Sequence, residues 1–294
     1  MSDNNDNKFL NPDYAKKAKV WVVVATHKNF GMPKDKMYIP LHVGAEGKTD
    51  EDGNPLDLGF QKDNTGDNIS NLNSQYCELT GLYWAWKNLN ADYLGLAHYR
   101  RHFCSSKKSE TGDKFDRVLT YRELKPLLAK YKVILPKKRR YYIETLWQHY
   151  EHNHHIIELE TAMKVIDEKH PEYSDACKKA LSRTSGYMFN MMIMKKELVD
   201  DYCSWLFPIL FEMSEKLETY AADNGLSAFE NRFPGRVSER LFNVWLQYQI
   251  DKGVIKKNEI KDLPFMYMEN INIFNKGVTF LKAKFLKKKP QKSF

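Results

Sequence analysis

Residues 63–103 read DNTGDNISNLNSQYCELTGLYWAWKNLNADYLGLAHYRRHF, and this stretch decides how the chain folds. A polar loop leads into a segment whose apolar residues recur at helical spacing as far as Lys87. The short apolar run Tyr93–Ala97 follows and ends abruptly in the polar residues His98–His102. The pattern predicts a helix and then a buried strand with histidine, tyrosine and arginine side chains at its carboxyl end.

The adjacent arginines after this strand indicate a site for a phosphate or diphosphate. In open α/β sheets, ligands bind just beyond the carboxyl ends of the strands. The guanidinium groups of Arg100 and Arg101 match phosphate oxygens bidentately. A basic surface turn is the alternative, and it is the commoner explanation for an Arg-Arg pair. The apolar strand in front and the flanking histidines, His98 and His102, favour the site.

Strands and helices alternate along the chain, which predicts an α/β fold. The β-branched run Lys19–Ala25 is typical of a central strand covered on both faces. The loop-like residues 44–66 predict a mobile flap. The other predicted strands are Tyr38–Val43, Lys132–Pro136 and Ser185–Met194. The predicted helices run from Ser70 or Asn71 to Lys87, from Thr120 to Tyr131 with a capping box at Glu123, from Lys195 to Tyr220 with Pro208 as a kink or boundary, and from Gly235 to Tyr248.

Two motifs of this sequence resemble the signature of a bacterial protein family. They are NSQYCELTGLYWAWKN at residues 73–88 and LGLAHYRRHF at residues 94–103. Together they are similar to capsular and exopolysaccharide glycosyltransferases, a family long catalogued as a domain of unknown function. Some of its members are assigned as galactofuranosyltransferases. The resemblance extends from about Val20 to about Tyr267.

This resemblance implies a fold, a donor and an acceptor. The implied fold is a GT-A-like mixed sheet flanked by helices, in a single catalytic domain over residues 19–275 with a helical C-terminal part. Residues 1–18 are then a flexible N-terminus and residues 276–294 a basic tail. The implied donor is a UDP-sugar, with galactofuranose as the suggested sugar. The implied acceptor is a lipid-linked or growing polysaccharide in capsule or exopolysaccharide synthesis.

The sequence departs from the usual GT-A pattern at the metal site. GT-A enzymes carry an Asp-x-Asp after a short strand to hold Mn or Mg on the diphosphate, whereas the equivalent strand here ends in AHYR. Arg100 and Arg101 can supply the neutralising charge instead. We therefore assign no metal ligands, and a divalent Mn or Mg cofactor stays open. The cluster His149, His152, His154 and His155 lacks a completing Cys or Asp and is interpreted as a polar helix end.

The predicted donor-binding residues lie at strand ends, in the flap or near helix starts. A helix N-terminus attracts anions, and the spacing of Asn71 and Glu78 puts them on one helix face. Asn190 interrupts an apolar run, and a buried amide there reaches the donor sugar or ties down a loop. The predicted set is Thr26, His27, Asp63, Asn68, Asn71, Glu78, His98, Tyr99, Arg100, Arg101, Asn190, Arg236 and Arg240.

A carboxylate beside the acceptor can act as general base in an inverting displacement. Glu239, near the start of a predicted helix, is the leading candidate for this catalytic role, and Asp223 is the alternate. The competing interpretation of Glu239 is that a glutamate in a first helical turn merely offsets the helix dipole.

Composition bounds the partners and the compartment. The formal net charge of +8 suits anionic partners, and the four cysteines have no ligand spacing, as expected of reduced thiols in a cytoplasmic protein. The N-terminus shows no signal-peptide pattern. The tail GVTFLKAKFLKKKPQKSF mixes lysines with apolar residues, which suits an anionic membrane surface at the inner face of the cell membrane, or else a solubilising extension. No nucleic-acid-binding motif is present, and a non-catalytic scaffold of a polysaccharide synthesis complex is the alternative function.

Overall fold

A computed structural model describes residues 18–105 and 112–269, and a mixed β-sheet forms the centre of this part of the chain. Nine strands belong to the sheet within these ranges, and a further pair forms a separate ladder. The strands are β1 Val20–Thr26, β2 Tyr38–His42, β3 Gln61–Lys62, β4 Tyr93–His98, β5 Arg101–Phe103, β6 Val133–Pro136, β7 Arg139–Arg140, β8 Ser185–Gly186, β9 Met192–Lys195, β10 Ile260–Leu263 and β11 Phe265–Tyr267.

The strand order places the longest strands at the centre. The order is β10-β6-β9-β4-β1-β2-β3, and β5 turns back on β4 and pairs with β11. β1 is parallel to both β2 and β4, whereas β9 runs antiparallel to its neighbours β4 and β6. The central strands are apolar on both faces because helices cover the sheet on both sides, and Val22, Val23 and Val24 are completely buried. The predicted mixed α/β class is confirmed.

Helices flank the sheet and build most of the C-terminal part. They are α1 Asn73–Tyr76, α2 Leu79–Asn88, α3 Tyr121–Leu128, α4 Leu146–Asn153, α5 Ile156–Lys169, α6 Ser174–Leu181, α7 Lys196–Asp223 and α8 Phe233–Asp251. The predicted capping box between Thr120 and Glu123 starts α3. α8 packs against α6 and α7, with Trp245 fully buried between them. Within the described ranges, no helix combines the length and the apolar character needed to cross a membrane.

Two predicted elements are wrong because local backbone turns divide them. The helix predicted up to Lys87 is broken at Cys77, where φ is +51°, and the Cys77 carbonyl accepts hydrogen bonds from Asn73 and Thr80 instead of continuing the helix. Asn71 and Glu78 therefore do not share one helix face. The strand predicted over 185–194 is two short strands, β8 and β9, joined by a turn in which Phe189 and Asn190 both have positive φ.

Two further departures concern the helix α7 and the end of the domain. Pro208 lies inside α7, which continues past it to Asp223, so Pro208 is not a boundary. Strands β10 and β11 follow α8 and were not predicted. Both lie beside strands of the sheet, and β11 pairs with β5, which begins at Arg101 of the predicted phosphate site.

Candidate active site

Three polar residues lie side by side where the central strands end. In the ladder between β1 and β2, Thr26 is opposite His42, and in the ladder between β1 and β4, Ala25 is opposite His98. A cavity of about 1040 Å³ opens at this edge of the sheet. This is the position that strand-end reasoning predicts for a ligand. The same reasoning identifies His42, which was missed although it directly follows the apolar run of β2.

The structure brings most of the predicted residues to this cavity. Four of them do not line it: Asp63, Asn68, Asn190 and Asp223. Those that do are Thr26, His27, Asn71, Glu78, His98, Tyr99, Arg100, Arg101, Arg236, Glu239 and Arg240.

Asp63 lies behind the cavity wall and holds that wall together. Its carboxylate is completely buried and accepts hydrogen bonds from the backbone N–H groups of Gly44 and Ala45 at 2.9 and 3.1 Å. The hydroxyls of Ser70 and Thr80 donate to the same carboxylate at 2.5 and 2.7 Å. Both of its oxygens are therefore engaged by the protein, whereas the sequence predicted that Asp63 would bind the donor.

The other three residues outside the lining also have protein partners or lie apart. Asn68 accepts from the backbone N–H of Ser70 and donates to the carbonyl of Gly66. Asp223 is exposed at the end of α7. Asn190 lies directly beneath the cavity, where its amide donates to Oε1 of Glu78 at 2.7 Å and to the carbonyl of Gly235 at 3.1 Å. Of its two predicted roles, this position favours tying down a loop.

Several arginines face the cavity, and they differ in the contacts that their guanidinium groups already make with other residues. The Arg101 guanidinium is buried 4.6 Å from the centre of the Phe189 ring and 5.2 Å from that of Tyr267. The Arg100 guanidinium lies 5.4 Å from the ring of Tyr99 and is only half-buried. Arg236 donates to the carbonyls of two residues in the preceding turn, at 2.6 and 2.5 Å, which gives it a structural task.

Two glutamates share the cavity floor with these arginines. Burial raises the pKa of Glu78, and the hydrogen bond from Asn190 and the nearby Arg101 charge oppose that rise. Burial likewise raises the pKa of Glu239, against the attraction of the adjacent Arg240. Arg240 donates to Oε2 of Glu239 at 3.1 Å, and the negative charge of Glu78 adds to the upward shift at Glu239. A carboxylate with a raised pKa is a stronger proton acceptor once it is ionised.

The backbone of Phe189 connects Glu239 to His98. Its N–H donates to Oε1 of Glu239 at 2.9 Å, and its carbonyl accepts from Nε2 of His98 at 2.8 Å. Phe189 has φ of +75°, a conformation that is costly for a bulky residue and is held only when its surroundings determine it. The turn thus fixes the position of both side chains. The spacing of apolar residues in the sequence gives no indication of this turn.

His98 and His27 both have a pKa below the ordinary imidazole value. Burial, reinforced by the charge of Arg101, lowers the pKa of His98 to about 3. Its Nε2 lies 3.7 Å from Oε1 of Glu78, a polar contact since the imidazole is uncharged. Burial and the Arg100 charge also lower the pKa of His27, whose ring packs edge-on against Tyr99 with centroids 5.4 Å apart.

A second group of side chains, absent from the predicted set, lines another part of the cavity. Tyr141 stacks on His149 with ring centroids 3.9 Å apart, and Arg139 lies 5.4 Å from the Tyr141 ring. His149 and His152 both contact the buried Glu144, at 3.0 and 3.1 Å. The basic run that contains Arg139 is visible in the sequence. The pair Tyr141 and Tyr142 directly after it is the feature that could have indicated this part of the cavity.

The donor set of the cavity does not fit a divalent metal. In residues 18–105 and 112–269, no three His, Cys, Asp or Glu side chains come together as ligands. Glu144 joins two histidines, and burial with the Arg240 charge lowers the pKa of His149 to about 4. The positive charge of Arg240 so close to His149 opposes a bound cation there. Beside the strand end at His98, the carboxylates of Glu78 and Glu239 already face the guanidinium groups of Arg101 and Arg240, whose charges offset theirs.

The fold and the position of the cavity define a class. A central, mostly parallel sheet flanked by helices, with the cavity at its carboxyl edge, matches the GT-A-like glycosyltransferase fold. The chain belongs to the family described as a domain of unknown function (DUF4422), whose model matches residues 21–250.

Comparison with solved structures supports this class. The chain is similar to the apo structure of WbbM, a bifunctional glycosyltransferase, with a TM-score of 0.73 and 30% sequence identity. The match covers 86% of this chain and 46% of that one, so the chain spans about half the length of its structural relative. A search of curated proteins gave no match.

Proposed function

We propose that this protein is a glycosyltransferase that moves a sugar from a UDP-sugar donor to a glycan acceptor. The observation that carries the proposal is the pairing, in one cavity of a GT-A-like fold, of guanidinium groups with the partly buried Glu239 of raised pKa. Arginines suit a diphosphate, and a positioned carboxylate suits an acceptor hydroxyl. The similarity to a glycosyltransferase structure supports the same conclusion.

The chemistry proposed for the cavity is an inverting displacement. The acceptor hydroxyl oxygen forms a bond to the anomeric carbon of the donor while the bond from that carbon to the diphosphate breaks. The hydroxyl proton passes to Glu239, and UDP leaves with the bonding electrons. Arg100 and Arg101 offset the negative charge that grows on the diphosphate, so the step needs no metal ion at that position.

The sugar and the acceptor follow from the family resemblance. We propose galactofuranose as the transferred sugar, and a lipid-linked or growing polysaccharide of a capsule or exopolysaccharide as the acceptor. We also propose that the basic tail, residues 276–294, contacts an anionic membrane at the cytoplasmic face. The tail lies outside the described residues, so this last proposal rests on its sequence alone.

The test is a transfer assay with a panel of UDP-sugars, UDP-galactofuranose included, and with UDP release as readout. Each donor is assayed with and without EDTA, because the cavity supplies no metal-ligand set among its described residues. We expect one donor to be turned over, with EDTA changing the rate little. UDP release with none of the donors and acceptors would contradict the proposal, whereas strong inhibition by EDTA would contradict only its metal-independent step.

The alternative is a scaffold protein of a polysaccharide synthesis complex that binds a nucleotide sugar without turning it over. The missing Asp-x-Asp at the end of β4 is the observation that favours it. Stabilisation by UDP in a thermal-shift experiment, together with no turnover in the panel, is its signature.

A further inference from the structure

A short basic segment beside the cavity exposes two apolar side chains. This segment, called here the 137–143 loop, reads KKRRYYI, so four cationic residues precede two tyrosines and an isoleucine. Tyr142 is 81% exposed and Ile143 is 73% exposed. Of the large apolar side chains in the described ranges, only one other, Val254 at 49%, is classed as exposed.

Neighbouring contacts hold the 137–143 loop in this arrangement. Its strand β7 pairs with β8, and the backbone N–H of Tyr141 donates to the carbonyl of Thr184 at 2.8 Å. The buried Tyr141 ring stacks on His149 of α4, and a capping box at Thr145 starts that helix directly afterwards. The apolar tip is therefore presented by a fixed frame.

The backbone at the tip is also strained. Tyr142 has φ of +58°, which is rare for an aromatic residue. In this conformation the chain exposes Tyr142 and Ile143 together while Tyr141, next in sequence, is buried. Single exposed apolar residues are ordinary on protein surfaces, but an adjacent pair held in a strained turn and preceded by four cations is not.

The 137–143 loop adjoins the cavity itself. Arg139 and Tyr141 line the cavity, and Arg139, Arg140, Lys137 and Lys138 are all exposed. A partner that binds Tyr142 and Ile143 thus lies next to the cavity opening. The cationic residues 137–140 are close to the same partner. The partner that matches both features is a surface with an apolar interior and anionic groups at its boundary.

We infer that the 137–143 loop docks on an anionic lipid bilayer, with Tyr142 and Ile143 inserted at the headgroup boundary and the basic residues against lipid phosphates. This segment is distant in sequence from the C-terminal tail. It does not rest on the proposed transfer reaction, since its test measures lipid binding and no turnover. If the reaction is also correct, docking brings the cavity opening to the bilayer, where a lipid-linked acceptor is found.

The test is flotation of the full chain with vesicles of phosphatidylcholine alone, or with about 30% phosphatidylglycerol to supply anionic charge. Tyr142→Ser combined with Ile143→Ser should lower binding to the anionic vesicles about tenfold, because the apolar contact is lost. Lys137→Gln with Arg140→Gln should lower it about fivefold for each charge removed, and only with anionic vesicles. Val254→Ser is the matched control, and it should bind as the wild type does.

A local probe separates the 137–143 loop from the tail. Ile143→Trp and Val254→Trp each add one tryptophan, and vesicles that contain brominated lipid quench indole emission where it meets acyl chains. We expect additional quenching for Ile143→Trp and none for Val254→Trp. Equal quenching in the two variants, or unchanged flotation of the double serine variant, would overturn the inference, since either result means that another part of the chain holds the protein on lipid.

Discussion

Asn190 and Glu78 are 112 residues apart in sequence, yet the Asn190 amide donates a 2.7 Å hydrogen bond to Oε1 of the glutamate. The amide oxygen of Asn190 in turn accepts from the hydroxyl of Ser238 at 3.0 Å. One buried side chain thus connects the start of α2, the turn before β9 and the first part of α8. Glu78 keeps a fixed position in the cavity because this amide holds it there.

Replacing Asn190 by Asp should destabilise the fold by about 1–3 kcal/mol, because a donor becomes an acceptor beside the partly buried carboxylate of Glu78. Asp tolerates the positive φ of this position about as well as Asn does, so the backbone preference is conserved. Urea unfolding at neutral pH measures the change. Asn90→Asp, in the exposed loop before β4, is the control and should have little effect. A stable Asn190→Asp protein would mean that Asn190 does not hold Glu78.

Glu239→Gln should lower kcat by about 10²–10⁴ while leaving UDP affinity nearly unchanged, because the amide cannot accept the acceptor proton. Gln has the same size and can keep the hydrogen bond from the Phe189 N–H. Asp223→Asn is the comparison, since Asp223 is exposed outside the cavity, and it should keep wild-type turnover. Turnover retained in Glu239→Gln and lost in Asp223→Asn would transfer the role of base to Asp223.

Arg100→Ala should weaken UDP binding by about 1.5–3 kcal/mol, the usual range for a charge-assisted hydrogen bond. Arg101→Ala should do so as well, with an added loss of packing against Phe189 and Tyr267. Lys28→Ala is the matched control: Lys28 is about half-exposed and is already paired with Glu269 at 3.4 Å. Isothermal titration with UDP measures all three variants. Unchanged affinity in both arginine variants would refute the diphosphate role.

His98 should make the fold sensitive to acid. Its pKa of about 3 in the folded protein is far below the ordinary 6.5, so the unfolded chain binds the proton first as pH falls. Above about pH 6.5 His98 therefore does not lower the free energy of unfolding. As the pH falls from there toward 3, His98 lowers that free energy by about 1 kcal/mol per pH unit. His98→Gln should flatten this decline in urea unfolding, whereas His170→Gln, outside the cavity, should keep it. An identical slope in His98→Gln and wild type would contradict the buried neutral imidazole.

Continuous apolar runs made the central strands predictable. β1 and β4 were each placed to within one residue, because strands covered on both faces carry their burial in consecutive residues. The Ser185–Met194 run is equally apolar, but it folds as two strands because Phe189 turns to meet Glu239 and His98. Those partners are distant in sequence, so no local pattern reveals the turn.

The residues of the candidate site likewise divide into those that the neighbouring sequence predicts and those that it does not. The arginines and His98 follow directly from the end of an apolar strand, and this rule needs only neighbouring residues. The position of Asp63 depends on the N–H groups of Gly44 and Ala45 and on two hydroxyls, and a polar loop sequence does not encode which of its acids turns inward. Tyr141 and His149 reach the cavity together because the residue after β7 stacks on a ring of α4, a contact that no local pattern encodes.

The hydrogen bonds that Asp63 accepts from Gly44, Ala45, Ser70 and Thr80 have a consequence for the entropy of ligand binding. The wall that carries Gly44 and Glu46 is already tied to the helical region at Ser70, so a ligand arriving in the cavity does not have to order it. The chain entropy of that wall is lost once, at folding, and binding is spared the loss. Removing hydrogen bonds to Asp63 would therefore lower the affinity for a ligand without removing any atom that touches the ligand. Calorimetry would record this change as a less favourable entropy of binding.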